Sequence, residues 1–204
     1  MNEGIRNIVF DIGEVLFSYR WKNMLMDYGL DEKTAERVGD EMFNDPEQIW
    51  HIFDLGIKSD EEIIKALSDK HPEDAEAIRW FISHPEYMHV PRPAVWRLVH
   101  ALKERGYGIF LLSNYPEYFY KVHTEYADFM HDIDGAMVSY MIKKSKPDEA
   151  IYDALCKKYD LNPKESIFFD DREENVKGAI NYGMKSIQIK SQEQLITELE
   201  KFLQ

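Results

Sequence analysis

The sequence predicts an α/β fold, a doubly wound parallel sheet with an inserted helical segment, and three observations lead there. Short apolar runs alternate with longer amphipathic stretches over most of the chain, one segment lacks that alternation, and the acidic excess concentrates in the same segment. The 204 residues suffice for one domain carrying a smaller insertion. Aliphatic, aromatic and sulfur-bearing residues make up 44% and charged residues 31%, a globular composition.

Four runs read as buried strands because they are short and rich in Ile, Val, Phe and Leu: Ile5 to Phe10, Gly108 to Leu112, Ser166 to Phe169 and Lys185 to Ile189. Helical patterns separate the later ones. Pro93 to Arg105 puts Val95, Leu98, Val99 and Leu102 on one face and stops at Gly106, which suits a left-handed C-terminal stop. Asp148 to Tyr159 follows Pro147 and repeats Ile151, Leu155 and Tyr159 at four-residue intervals. Asn175 to Tyr182 and Gln192 to Phe202 complete the series. Strand, helix and strand in repetition imply parallel strands with crossover helices.

Residues 18–90 read differently. Helical patterns follow one another there without a convincing strand: Trp21 to Tyr28, Asp31 to Phe43, Pro46 to Phe53, Ser59 to Leu67 and Glu73 to Ile82. Asp31 and Ser59 suit helix N-caps, the latter with Glu62 three residues on. The expected division is therefore 1–17 and 91–204 as the α/β core and 18–90 as an inserted helical unit. That unit holds 17 Asp and Glu against 8 Lys and Arg, net −9 of the chain's −13, and is read as presenting a solvated acidic outer face.

A net charge of −13 argues against a sequence-independent grip on nucleic acid or an anionic membrane. No stretch approaches the roughly 20 apolar residues of a spanning helix, and M-N-E-G-I-R is not a signal n-region, so a cytoplasmic location is expected. The single cysteine, Cys156, excludes an internal disulfide and is read as a buried structural thiol. His84 and His89 flank Pro85 without metal-ligand spacing and are expected to face solvent in a loop.

Three strand candidates end in chemically useful groups. Asp11 follows I-V-F, Ser113 and Asn114 follow I-F-L-L, and Asp170 and Asp171 follow I-F-F, while Lys146 precedes a helix. Each alone could be a turn or capping residue. In an open parallel sheet, however, the carboxyl ends of the strands form one ligand-binding rim. Three carboxylates on one rim repel each other, so they raise a pKa or take a cation. Oxygen donors without His or Cys favour a hard ion such as Mg²⁺. The anion that such an ion, a lysine, a hydroxyl and backbone N–H groups hold together is a phosphate. A carboxylate beside its phosphorus can act as nucleophile.

The runs I-V-F-D-I-G-E-V-L at 8–16, F-L-L-S-N at 110–114, S-K-P-D-E-A-I-Y at 145–152 and F-F-D-D-R-E-E-N at 168–175 resemble, in order, the four motifs of the haloacid dehalogenase superfamily. The resemblance implies a Rossmann-like core, and the helical insertion is similar to the family's small cap. The wording resembles the branch of sugar 1-phosphate phosphatases and the phosphatase domain of epoxide hydrolases. It implies a Mg²⁺-dependent phosphatase acting on a small phosphorylated metabolite through an aspartyl-phosphate. Asp11 would be nucleophile and metal ligand, and the Gly13 carbonyl a second ligand. Ser113 and Asn114 would hold phosphoryl oxygens, and Lys146 would neutralise phosphate and nucleophile. Asp171 would bind the metal directly, with Asp170 behind it; Asn175 and Lys177 would be structural.

One position departs from the pattern. Most phosphatases of this family carry a second Asp two residues after the nucleophile as general acid and base, where this chain has Gly13. Three readings stay open: Glu14 takes the role, the substrate has a leaving group that departs unprotonated, such as a sugar 1-phosphate, or the protein is a catalytically weak or silent phosphate-ligand or protein-binding module. The family's dehalogenases also lack that Asp but have no use for an acidic pair, so Asp170 and Asp171 favour phosphate; a phosphomutase would want the missing acid. Tyr19, Trp21, Trp50 and Tyr115 are candidates to line the cleft with Arg20 as a polar contact, the expectation for Trp50 being that it packs inside the helical unit instead.

Overall fold

The computed structural model describes residues 4–204; Met1 to Glu3, assigned above to the core, lie outside the described residues. The first half contains β1 (Asn7–Phe10), β2 (Phe17–Tyr19), α1 (Trp21–Tyr28), α2 (Glu32–Phe43), α3 (Ile49–Asp54), α4 (Asp60–Lys70), α5 (Ala75–Ser83), β3 (His89–Pro91) and α6 (Pro93–Glu104). The second half contains β4 (Gly108–Ser113), α7 (Glu117–Thr124), β5 (Gly135–Val138), α8 (Ser139–Ile142), α9 (Glu149–Tyr159), β6 (Ser166–Asp170), α10 (Glu173–Tyr182), β7 (Lys185–Gln188) and α11 (Gln192–Glu200).

Five strands form a parallel sheet in the order β5-β4-β1-β6-β7. β1 is central, in register from Asn7↔Gly108 to Phe10↔Leu111 on one side and from Asn7↔Ser166 to Phe10↔Phe169 on the other. Chain order reverses across it, so its carboxyl end is the topological switch point. The period of two explains why these strands read as unbroken apolar runs. Ile8, Phe10, Ile109, Leu111, Ile167 and Phe169 pack with Val95, Val99, Leu195 and Leu199 of α6 and α11. Val9, Phe110, Leu112 and Phe168 pack on the other face with Ile151, Tyr152, Leu155 and Ala179 of α9 and α10.

The four expected strands and the core helices are present with ends shifted by a few residues, and the caps follow the local chemistry. Asp31 accepts from the Thr34 N–H, and Ser59 and Glu62 form a reciprocal capping box. Cys156 is buried in α9, its thiol pushed up to about 11 mainly by burial. Other expectations need correction. β5 begins with Gly135 and Ala136 and lacks the apolar density that marks its neighbours. Two further strands lie at the junctions of the expected helical segment: β2 pairs antiparallel with β3, Phe17 opposite Pro91 and Tyr19 opposite His89. Three residues each are too few for a readable alternation. His84 and His89 are partly buried, not solvent-facing: His84 stacks on Trp80, and His89 packs against Phe17 and His123. Among the described residues no helix is long and apolar enough to cross a membrane.

Arg92, buried between β3 and α6, holds these junctions together. Its guanidinium donates to the Ser18 hydroxyl (2.8 Å), to the carbonyls of Glu14 (2.5 Å) and Val15 (3.2 Å), and pairs with the Glu14 carboxylate at 2.9 Å. Trp96 of α6 donates its indole N–H to the Leu16 carbonyl at 2.7 Å. The loop after β1 is thus tied to the return strand by Arg92 and to α6 by Trp96. Arg92→Ala, which strands these acceptors, should cost roughly 1–3 kcal/mol, seen as a lower denaturation midpoint at unchanged m-value.

Candidate active site

Asp11, the first residue after β1, donates its backbone N–H to Phe169 of β6 and stays on the strand line. Its Oδ1 takes three donors: the Ile12 N–H (2.7 Å), the Ser113 hydroxyl (2.6 Å) and the Lys146 ammonium (2.9 Å). Among the described residues no hydrogen bond reaches Oδ2. Lys146 is 3% exposed and spends all three protons, on Asp11, on Asp170 Oδ2 (2.6 Å) and on the Leu112 carbonyl (2.9 Å). Burial alone would discharge this ammonium, but Asp11 and Asp170 outweigh it and the net shift is upward.

Asp170 is fully buried and saturated, accepting from Lys146, from the Asn175 amide (2.9 and 3.1 Å) and from the Arg172 N–H (2.8 Å). The last bond is a turn bond that leads into α10, so the residue is both a turn former and Lys146's counter-ion. Asp171 differs: among the described residues no other residue donates a hydrogen bond to its carboxylate, which meets only its own backbone N–H. Oxygens of Asp11, Asp170 and Asp171 lie within 4.8 Å of one another. Burial first, offset by Lys146 and reinforced by Asp170 and Asp171, raises Asp11 to about 7. Burial and then Asp170 raise Asp171 to about 6. Two carboxyls pushed up beside a third, one with an open oxygen and one that meets no donor from another described residue, form a donor set that fits a hard divalent cation.

Asn114 clasps the Lys146 loop: its amide N–H donates to the Lys146 carbonyl (2.9 Å) and its oxygen accepts from the Lys146 N–H (2.8 Å). Asn175, read from sequence as structural, holds Asp170; Lys177 is exposed and pairs with Glu173. Glu14 has a left-handed backbone (φ 53°), and its carboxylate is taken by the Tyr19 N–H (2.7 Å) and by Arg92.

Gly13 has a steric reason. A Cβ there would stand 2.5 Å from the ring edge and hydroxyl of Tyr19, so Tyr19 fills the volume an Asp side chain would need. The Tyr19 hydroxyl bonds Tyr115 (2.5 Å), Tyr115 bonds His123 Nδ1 (2.6 Å), and His123 Nε2 meets the Pro85 carbonyl (2.7 Å). A carbonyl only accepts, so Nε2 carries the proton of the neutral ring; Tyr115 then donates to Nδ1 and Tyr19 donates to Tyr115. Burial lowers His123 to about 3 and keeps it neutral. Burial also lifts both phenols well above their ordinary value.

A cleft of about 410 Å³ opens beside this centre, lined by Tyr19, Trp21, Phe43, Trp50, Tyr115 and Phe119 among others. Trp50 packs edge-on against Phe43 (4.6 Å) and Phe53 (5.5 Å) and also against Phe119 of α7 (5.9 Å), and it lines the cleft, so it is both packed and cleft-facing. Arg20 does not reach it. Its guanidinium turns outward to Asp27 and the Tyr87 carbonyl, correcting the expected polar contact. Asp54 and Arg172, absent from the sequence-derived set, line both the cleft and the cavity over Asp11. Nothing local in the sequence marks Asp54, because only tertiary docking of α3 brings it there.

This geometry is that of a hydrolase built on a strand-end carboxylate. A family model for haloacid dehalogenase-like hydrolases matches residues 5–183, and the chain belongs to that family. It is 24% identical over 185 residues to the sesquiterpene phosphatase astK of Aspergillus oryzae, covering 89% of this chain and 88% of that protein. It is 26% identical over 136 residues to (S)-2-haloacid dehalogenase 4A of Burkholderia cepacia, covering 66% of this chain and 58% of that protein. The fold is similar to a family enzyme of Bacteroides thetaiotaomicron solved with magnesium and inorganic phosphate: TM-score 0.72 at 22% identity, covering 92% of this chain and 96% of that one.

The occupied space beside Gly13 gives a direct test. Gly13→Asp should lower thermal stability because the new side chain meets Tyr19, and adding Tyr19→Ala should recover part of the Gly13→Asp loss. Melting curves of Tyr19→Ala, Gly13→Asp and the double variant measure this coupling.

Proposed function

We propose that the protein is a Mg²⁺-dependent phosphatase acting on a small phosphate monoester through an aspartyl-phosphate on Asp11. The observation that carries this reading is the division of labour in Asp11, which lines the cavity: three donors neutralise Oδ1, and among the described residues none reaches Oδ2. Lone-pair density on Oδ2 attacks phosphorus, the bond to the alcohol oxygen breaks, and water later attacks the same phosphorus to release phosphate and restore Asp11. The side chains of Asp11 and Asp171 with the Gly13 carbonyl would hold the cation, and Asp170 would act from behind through Lys146. When bound, the cation supplies charge neutralisation that lets an anionic ester approach three carboxylates. With the ester bound, Ser113 would re-aim its hydroxyl from Asp11 to a phosphoryl oxygen and the Lys146 charge would offset the phosphate, while Asn114 positions Lys146. Glu14 is read as a brace for the loop. The alcohol part would lie in the aromatic cleft between Trp21, Trp50 and Phe119.

The carboxylate set separates this reading from dehalogenation, in which no cation needs holding. The phosphatase of Aspergillus oryzae and the magnesium and phosphate in the Bacteroides enzyme support the same choice.

In the cation-free protein Asp11 rises from 3.8 to about 7, so between those values the folded chain binds more protons than the unfolded one. Folding is therefore opposed increasingly as pH rises through this window. Asp11→Asn removes that penalty and leaves Lys146 paired one-to-one with Asp170. At pH 8 in chelator, Asp11→Asn should melt no lower than the wild type. With Mg²⁺ and a panel of phosphate monoesters, the wild type should release phosphate and the variant none. Phosphate release by Asp11→Asn, or chelator-resistant halide release from 2-haloacids by the wild type, would overturn the reading.

A further inference from the structure

A leaving alkoxide needs a proton, and the side chains around Asp11 are committed elsewhere. Lys146 has no proton to spare, and both functions of the Glu14 carboxylate, toward Arg92 and the Tyr19 N–H, brace the loop. The Tyr19 hydroxyl proton is directed to Tyr115 by the tautomer of His123 and presents only an oxygen to the cavity. Asp171 belongs to the cation set.

Asp54 is the remaining carboxyl over this space. As the last residue of α3 it lines the aromatic cleft, the neighbouring cavity with Lys146, and the cavity with Asp11 and Ser113. Its carboxyl has no hydrogen-bond partner among the described residues, and no hydrogen bond or ion pair joins it to Asp11 or Asp171. Its backbone, by contrast, is fastened to the core. The Ser139 hydroxyl, which accepts from the Tyr115 N–H, donates to the Asp54 carbonyl, and Lys143 donates to the Gly56 carbonyl at 2.5 Å. A free carboxyl on a fixed base, lining the same cavity as the reacting carboxylate, is the arrangement a proton donor requires.

Resting on the phosphatase reading above, we propose that Asp54 is its general acid and base, supplied by the helical unit in place of the side chain that Gly13 lacks. As the Asp11 Oδ2–P bond forms and the P–O bond to the alcohol breaks, the Asp54 carboxyl gives its proton to the departing oxygen. The resulting carboxylate then takes a proton from the water that attacks phosphorus; the P–Oδ2 bond breaks, and phosphate, Asp11 and protonated Asp54 are restored. The charge setting agrees. Burial raises Asp54 to about 8, with Arg172 and Lys146 pulling down and Asp11 pushing up, so the carboxyl carries its proton near neutral pH. Asp45, His51 and Glu174 line the outer part of the same space.

The test is leaving-group dependence, read in kcat/KM, which reports the steps up to cleavage of the ester. With Mg²⁺, Asp54→Asn should lose about 10²- to 10⁴-fold on 2-phenylethyl phosphate, whose alkoxide needs protonation, and less than about tenfold on p-nitrophenyl phosphate, whose phenolate does not. In the wild type the two esters should react at similar rates, a measurement independent of how well the variant folds. Equal losses on both esters, no loss on either, or a wild type that strongly prefers the p-nitrophenyl ester would overturn the assignment. A wild type inert toward both esters with Mg²⁺, or Asp11→Asn still releasing phosphate, would instead overturn the phosphatase reading and this assignment with it.

Discussion

One buried ammonium between two carboxylates organises this protein. Lys146 is 3% exposed and touches both Asp11 and Asp170, while Asp171 adds a third negative group a few ångströms away. A charge that deep is costly unless every proton is placed, and here every proton is. The surrounding structure serves that placement. Asn114 ties the Lys146 loop to the end of β4, Asn175 reaches back from α10 to Asp170, and β1 carries Asp11 to the middle of the sheet because its neighbours are strands from both halves of the winding. The cluster keeps an excess of negative charge after this pairing, and that excess gives a divalent cation a reason to bind.

The second constraint is spatial. Tyr19 leaves β2 into the volume beside Gly13, and its hydroxyl is committed through Tyr115 to a neutral His123. A chain of three hydrogen bonds with one allowed direction cannot also serve as a proton source toward Asp11. The same Tyr19 ring forms a wall of the aromatic cleft. The absence of a carboxyl at position 13 and the aromatic wall of the cleft therefore share one structural cause, the placement of the Tyr19 ring.

The centre of the sheet was legible from sequence because β4, β1 and β6 are buried on both faces, which compresses the signal into runs such as I-V-F and I-F-L-L. The residues at their carboxyl ends followed from topology: Asp11, Ser113, Asn114, Asp170 and Asp171 needed only the rule that parallel strands end together. β5 escaped because Gly135 and Ala136 carry little apolar volume, and β2 and β3 because three residues make no period. Side-chain direction was the less accessible layer. Arg20 and Tyr19 are adjacent, yet strand pairing sends one to the cleft and the other to Asp27. Asp54 lies more than 40 residues from Asp11 in sequence and shares a cavity with it, where Ser139 and Lys143 hold the end of α3 against the core.

The charge of the helical segment takes its meaning from that docking. A net of −9 over residues 18–90 would repel an anionic ester if it faced the cleft. Many of the acidic groups instead meet basic ones across or along the helices, as Glu32 and Glu36 do with Lys22, Asp74 with Arg37, and Asp45 with Lys70. Among the described residues of this segment only Tyr19 and Asp54 line the Asp11 cavity, the neighbouring cleft adds aromatic rings, and burial raises the Asp54 carboxyl to about 8. On the phosphatase reading, a neutral acid there would add no field against the incoming phosphate and would carry the proton that the departing oxygen needs. The burial that removes the charge thus also prepares the donor.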